Sequence, residues 1–97
     1  MDKKIKPFAD LPQAQQRALD VILRLKKDAF YSSDVQERIE TRSGGKGAGA
    51  VLGALYRNNY LKKISGGRDK LWALTDEAKR IRPELLENIL EVKGYWG

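Results

Sequence analysis

A stripe of apolar residues along the first third of the chain has the three- and four-residue spacing of an amphipathic helix. Its members are Leu11, Ala14, Ala18, Val21, Ile22 and Leu25. Polar side chains occupy the other face, namely Gln13, Gln16, Asp20, Arg24 and Lys27. Asp10, followed by Pro12 in the first turn, has the pattern of a helix N-cap. The spacing therefore predicts a first helix from Asp10 to Lys27 with one face toward a core.

The residues after this helix predict a short strand and a second helix. Ala29-Phe30-Tyr31 is long enough only for a brief extended segment. Ser32-Ser33 has the composition of an N-cap, with Gln36 three residues beyond the second serine. We expect the second helix to run to about Arg42 and to stop at the turn Ser43-Gly44-Gly45.

A third helix, rich in small side chains, is predicted from Lys46 or Gly47 to about Asn59, which suits a left-handed C-terminal position. Its inner face carries Ala48, Val51, Leu52 and Leu55. Its outer stripe is nearly bare and consists of Lys46, Ala50, Gly53 and Arg57, flanked by Gly49 and Ala54. Each glycine inside a helix costs up to about 1 kcal/mol relative to alanine. Three explanations stay open: another backbone approaches closely, the helix starts after Gly49, or Gly49 and Gly53 pack on a second protein helix.

Two alternating β-prone runs then predict a hairpin, and the rest of the chain is helical. The runs are residues 60–64 and 70–74, separated by the glycine-containing loop Ser65–Asp69. Within the second run we interpret Trp72 as a core side chain. Thr75 caps the next helix, Pro83 ends or kinks it, and residues 84–92 continue as helix.

Positive charge is concentrated between residues 41 and 70. Residues 1–40 have a net charge of +1 and residues 71–97 a net charge of −1, so the middle thirty residues account for the chain's +6. A solvated basic surface is the plain explanation of such a block. Its imbalance instead favours binding of a polyanion.

The order of elements, with the stretch from Val51 to Leu61, resembles the winged helix-turn-helix family. The stretch is similar to the family's pattern of leucine, two residues, leucine, three residues and Gly-Leu-Ile, with Asn59 in place of the glycine. The Gly66-Gly67-Arg68 loop and the strand Leu71-Trp72-Ala73-Leu74 are also similar, and the resemblance covers about residues 10–82. It implies an α+β fold, a three-helix core with a β-hairpin wing and an additional C-terminal helix.

The resemblance also implies that the third helix enters a DNA groove while the wing lies along the backbone. The expected DNA contacts are Arg42, Ser43, Lys46, Ala50, Gly53 and Arg57 around the helix, and Lys63, Arg68 and Lys70 on the wing. Because no Asn, Gln or Arg stands in the middle of that helix, we expect phosphate contacts to dominate and sequence specificity to be limited. A transcriptional regulator or a replication or mobile-element accessory factor would fit.

Composition argues against catalysis. The chain has no Cys and no His, so it lacks a thiolate, an imidazole base and the usual zinc ligands. Gly44-Gly45-Lys46 lacks the spacing of a P-loop. We therefore predict a protein that is not an enzyme and has no cofactor, no catalytic residues and no metal site.

Two other functions and the location of the protein complete the expectations. One alternative is an accessory protein for single-stranded DNA or RNA, with Tyr56 and Tyr60 stacking on unpaired bases. The other is a winged-helix protein-interaction module. No run approaches the roughly 20 apolar residues of a membrane span, and the first residues do not resemble a secretory signal. We expect a cytoplasmic, nucleoid-associated protein with no membrane partner.

The predicted organisation is a single domain with two appendages. Residues 1–9 are interpreted as a flexible basic arm, residues 10–82 as the winged-helix domain, and residues 83–97 as a C-terminal helix and tail. The apolar residues of this last helix leave two hypotheses open, a homodimer through Leu85, Ile89 and Val92, or packing against the first helix of the same chain.

Overall fold

The computed structural model describes residues 4–38, 48–64 and 71–96, which form an α+β domain. The helices in these ranges are α1 (Gln13–Leu25), α2 (Ser32–Gln36), α3 (Ala48–Arg57), α4 (Asp76–Arg80) and α5 (Arg82–Lys93). The strands are β1 (Phe30–Tyr31), β2 (Leu61–Lys63) and β3 (Leu71–Leu74), and a 3-10 helix at Phe8–Asp10 precedes α1. No helix in the described ranges has both the length and the apolarity needed to cross a membrane.

The three strands form one antiparallel sheet in the order β1-β3-β2. β2 and β3 pair with Leu61 opposite Leu74 and Lys63 opposite Trp72, which confirms the two predicted hairpin strands. β1 adds Phe30 on the other side of Trp72. Trp72 is thus on the central strand and only 2% exposed, so its interpretation as a core side chain is confirmed.

The hydrophobic core lies where α1, α3 and α5 meet the sheet. Leu19 and Ile22 of α1, Leu52 and Leu55 of α3, and Leu85 of α5 are all buried in it. Their three- and four-residue spacing produces one buried stripe per helix, and burying each such side chain stabilises the fold by about 1.5–3 kcal/mol.

The start and the inner face of α1 differ from the sequence prediction. The helix begins at Gln13, after Pro12 in extended conformation, and Asp10 belongs to the 3-10 helix instead of capping α1. Gln16, expected in water, is buried and its Nε2 donates a 3.1 Å hydrogen bond to the Phe8 carbonyl. A buried carbonyl requires a donor, which explains a polar side chain on the core face.

The N-terminus of α2 is also displaced. The helix begins at Ser32, and the Asp34 carboxylate accepts a 3.0 Å hydrogen bond from the Tyr31 backbone N–H. Asp34 therefore supplies the capping contact that the sequence pattern predicted for Ser33 and Gln36. The helix ends at Gln36, and Glu37 and Arg38 form a turn in which the Arg38 backbone N–H donates to the Val35 carbonyl, so the prediction that it runs to about Arg42 is wrong. The predicted turn at residues 43–45 lies outside the described residues.

The end of α3 agrees with the prediction, whereas its predicted start lies outside the described ranges. Asn59 has a φ of 68°, the left-handed conformation expected of it. Asn58 Nδ2 donates a 2.8 Å hydrogen bond to Gln15 Oε1 and so joins this end to α1. Gly49 lies within α3, so a start later than Gly49 is wrong.

Residues 4–8, which we name the N-terminal strap, pack on the domain instead of forming a free arm. Tyr60 donates its hydroxyl to the Lys6 carbonyl at 2.5 Å, and Asn59 Nδ2 donates to the Lys4 carbonyl at 2.8 Å. Phe8 is buried and Ile5 packs against the core. The domain therefore begins before residue 10, because hydrogen bonds from the segment after α3 hold the strap.

The C-terminal helices are formed as predicted, and the apolar residues Leu85 and Ile89 of α5 are buried in the core. Thr75 Oγ1 accepts a 3.2 Å hydrogen bond from the Ala78 backbone N–H at the start of α4, and α5 starts one residue before Pro83. Leu85 and Ile89 are 1% and 2% exposed, and Val92 packs against the same core. Leu85 and Ile89 therefore support the alternative of packing within the same chain, including against α1, and the structure gives no support to a homodimer through these residues.

Candidate nucleic-acid interface

The outer face of α3 presents almost no side-chain bulk. Gly49 and Ala50 are exposed, Gly53 is partly exposed, and Arg57 is exposed at the end of the helix. A Cβ added at Gly49 or Gly53 would meet no described atom within 4 Å. No packing within the described chain thus requires glycine at either position, although each lowers helix stability. Among the described residues, nothing covers this bare face at Gly49 or Gly53.

An aromatic and cationic cluster joins the last turn of α3 to the edge strand β2. The Lys63 ammonium lies 4.8 Å from the centre of the Tyr56 ring and 5.7 Å from that of Trp72. Tyr56 and Trp72 contact each other edge to face, with ring centres 6.1 Å apart and planes at 67°. Cations over aromatic faces are attracted by about 0.5–2 kcal/mol. The cluster therefore positions Lys63 without neutralising its charge.

A cleft of about 400 Å³, which we name the basic cleft, opens beside this cluster. Arg57, Lys62 and Lys63 contribute its three cations, and Tyr56 contributes an aromatic wall. All four side chains are exposed. Among the described residues none of the three cations forms a salt bridge. The cleft therefore offers positive charge with an aromatic surface, which suits a phosphate with its attached sugar or base.

Four of the nine predicted contact residues can be located. Ala50, Gly53 and Arg57 lie on α3, and Lys63 lies on β2, where it shares the basic cleft with Arg57. The other five expected contacts lie outside the described residues: Arg42, Ser43, Lys46, Arg68 and Lys70.

The two tyrosines proposed as base-stacking platforms have different environments. Tyr56 is 42% exposed and borders the basic cleft, whereas Tyr60 is fully buried. Burial raises the pKa of the Tyr60 phenol to about 12. The prediction that a base stacks on Tyr60 is therefore wrong, because the Tyr60 ring is part of the core and its hydroxyl donates to the Lys6 carbonyl.

Lys62 was not among the predicted contact residues, although it lines the basic cleft. Successive side chains of a strand point to opposite sides, so the alternation predicts that only one of Lys62 and Lys63 faces the helix. Because β2 is an edge strand and the cleft is open, both reach it. The available signal in the sequence was the pair of consecutive lysines in the first of the two β-prone runs.

Comparisons with known proteins assign no family to this chain. No protein-family model matches the sequence, and no curated protein matches it. Within the part of the chain that the structure describes, no group of three or more acidic side chains is arranged to hold a metal ion. Support for a function therefore comes from the geometry of α3 and the basic cleft.

Proposed function

We propose that this chain is a winged-helix protein that binds nucleic acid without catalysis, with duplex DNA as its principal ligand. The observation that carries the proposal is the basic cleft, in which Arg57, Lys62 and Lys63 converge at the end of a helix with a bare outer face. A helix enters the major groove more closely when its side chains are small. The resemblance to winged-helix domains supports the same orientation.

The proposed division of labour follows from the chemistry of each part. Ala50 and Gly53 let the helix approach the base edges, while the cations of the cleft bind backbone phosphates. Phosphate contacts carry no sequence information, so affinity depends strongly on salt and weakly on base sequence. Arg68 and Lys70, which follow β2 in the chain, extend the same contact in this proposal.

Single-stranded nucleic acid is the second candidate, and the exposed ring of Tyr56 favours it. Aromatic stacking contributes about 1–3 kcal/mol per unpaired base. A duplex offers no free base face to that ring except at its ends. The preference between duplex and single strand therefore separates the two candidates.

Fluorescence anisotropy with labelled ligands at two salt concentrations tests the proposal. We expect a random-sequence duplex to bind more tightly than oligo-dT of equal length, and the affinity to fall steeply as salt rises. Tighter binding of oligo-dT would instead make single-stranded nucleic acid the principal ligand. No binding of either at low salt would reject nucleic acid as the ligand and leave a protein-interaction module.

A further inference from the structure

A second cleft, of about 580 Å³, separates the N-terminal strap from α4 and α5. Half-buried Ile5 and Ile81 and exposed Pro7 form its apolar wall, with Phe8 and Leu85 of the core beneath them. Pockets for small molecules span about 300–1,000 Å³ and combine an apolar lining with a few polar groups. The volume of this strap cleft lies in that range, and its lining combines an apolar wall with polar and charged side chains.

Charges of both signs line the strap cleft. Lys4 and Arg80 provide cations, and Glu77 and Glu84 provide carboxylates. None of the four forms a salt bridge to any residue that the structure describes, although they border one cavity. A ligand carrying an anion and a cation could therefore engage both signs without first breaking a pair.

We infer that the strap cleft binds a free amino acid with an apolar side chain. The ligand carboxylate is bound by Arg80, with Lys4 beside it. The ligand ammonium is bound by Glu84, with Glu77 beside it, and the side chain contacts Ile5 and Ile81. Both polar ends form charge-assisted hydrogen bonds, which are stronger than neutral ones. The inference does not depend on nucleic-acid binding.

Occupation of the cleft would also act on the end of α3. The strap contributes Lys4 and Ile5 to the cleft, and the same strap accepts hydrogen bonds from Asn59 and Tyr60. A ligand that bridges the strap to α4 and α5 therefore holds the segment that follows α3. Because it binds only the folded chain, it raises thermal stability as its concentration rises.

Calorimetric titration of the full chain with L-phenylalanine and L-leucine tests the inference. We expect saturable binding, and binding weaker by about tenfold for phenethylamine, which lacks the carboxylate, and for N-acetyl-L-phenylalanine, which lacks the ammonium. Failure of both amino acids to saturate, or equal binding of either analogue, overturns it.

Variants at the two ends of the site make the test specific. Arg80→Gln should lower the affinity for L-phenylalanine by about tenfold and leave the affinity for phenethylamine unchanged. Glu84→Gln should lower the affinity for L-phenylalanine and leave the affinity for N-acetyl-L-phenylalanine unchanged. Lys79→Gln and Glu87→Gln are matched controls on the same helices outside the cleft. A loss in the controls as large as in the variants would also overturn the inference.

Discussion

Lys63 holds its ammonium 4.8 Å from the centre of the Tyr56 ring, which couples the edge strand β2 to the last turn of α3. A carboxylate partner would hold the lysine equally well but would neutralise it. The aromatic partner leaves the positive charge available to an anion. The contact therefore gives Lys63 a defined position and keeps its charge, which a phosphate-binding side chain needs.

The first prediction concerns the charge at this position. Lys63→Gln should lower duplex affinity and reduce the dependence of log K on log salt concentration by about 0.9, the contribution of one phosphate contact. Anisotropy titrations at several salt concentrations measure both quantities. Lys79→Gln removes an exposed lysine of α4 that lies outside the basic cleft and should leave the slope unchanged. An unaltered slope for Lys63→Gln would remove this residue from the interface.

The second prediction concerns the bare face of α3. Gly53→Leu should raise the free energy of unfolding by up to about 1 kcal/mol, because leucine is a better helix former and the added Cβ meets no described atom. The same variant should weaken duplex binding, because the side chain keeps α3 away from the groove. Chemical denaturation and anisotropy measure the two effects.

Gly94→Leu is the matched control for that variant. Gly94 has equally open surroundings at the end of α5, away from the basic cleft. It should leave duplex binding unchanged. If Gly53→Leu binds as tightly as the native chain, α3 does not approach DNA through this face.

The third prediction uses the buried phenol of Tyr60. Its pKa is raised from 10.0 to about 12 by burial, so the folded state favours the neutral hydroxyl. The resulting stabilisation is fully present below pH 10 and is lost as the pH rises through 12. Tyr60→Phe should lower the free energy of unfolding by about 1 kcal/mol at pH 7, because the bond to the Lys6 carbonyl disappears.

Denaturation curves from about pH 8, below the usual phenol pKa, up to about pH 12, its raised value in the folded chain, measure this difference. The native chain should lose stability relative to Tyr60→Phe as the pH rises above 10. Tyr95→Phe, at a residue 87% exposed, should stay within about 0.5 kcal/mol of the native chain. Parallel curves for the native chain and Tyr60→Phe would contradict the prediction.

The fourth prediction separates core from surface on α5. Leu85→Ala should lower the free energy of unfolding by about 2–5 kcal/mol, because it leaves a cavity in the core. Leu90, 75% exposed on the same helix, should tolerate alanine within about 0.5 kcal/mol. Urea denaturation measures both. A loss for Leu85→Ala that depended on protein concentration would instead place this residue between two chains.

Local patterns predicted the secondary structure well where the signal lay within a few residues. The hairpin strands, the left-handed Asn59 and the Thr75 cap all follow from side chains acting on their own or adjacent backbone. Errors appeared where a distant group decided the outcome. Gln16 is buried because the Phe8 carbonyl lies against α1, a relationship between residues eight apart that helical periodicity does not encode.

The candidate site shows the same division. The small outer face of α3 could be predicted from helical spacing. The excess of positive charge in residues 41–70 could be predicted from the residue types alone. The basic cleft could not, because it depends on β2 packing beside the last turn of α3 through Lys63, Tyr56 and Trp72. Sequence places those residues up to sixteen positions apart and says nothing of the distance between their rings and charges.

The sequence by itself determined the helical and extended periods, the caps and the location of the charge, since each depends on neighbours along the chain. Only the tertiary structure decided that residues 4–8 pack on the segment after α3, that Leu85 and Ile89 face inward, and that the basic cleft and the strap cleft form. An amphipathic stripe requires burial against an apolar surface but does not specify whether that surface belongs to the same chain. Packing of the helices and the sheet supplied that choice.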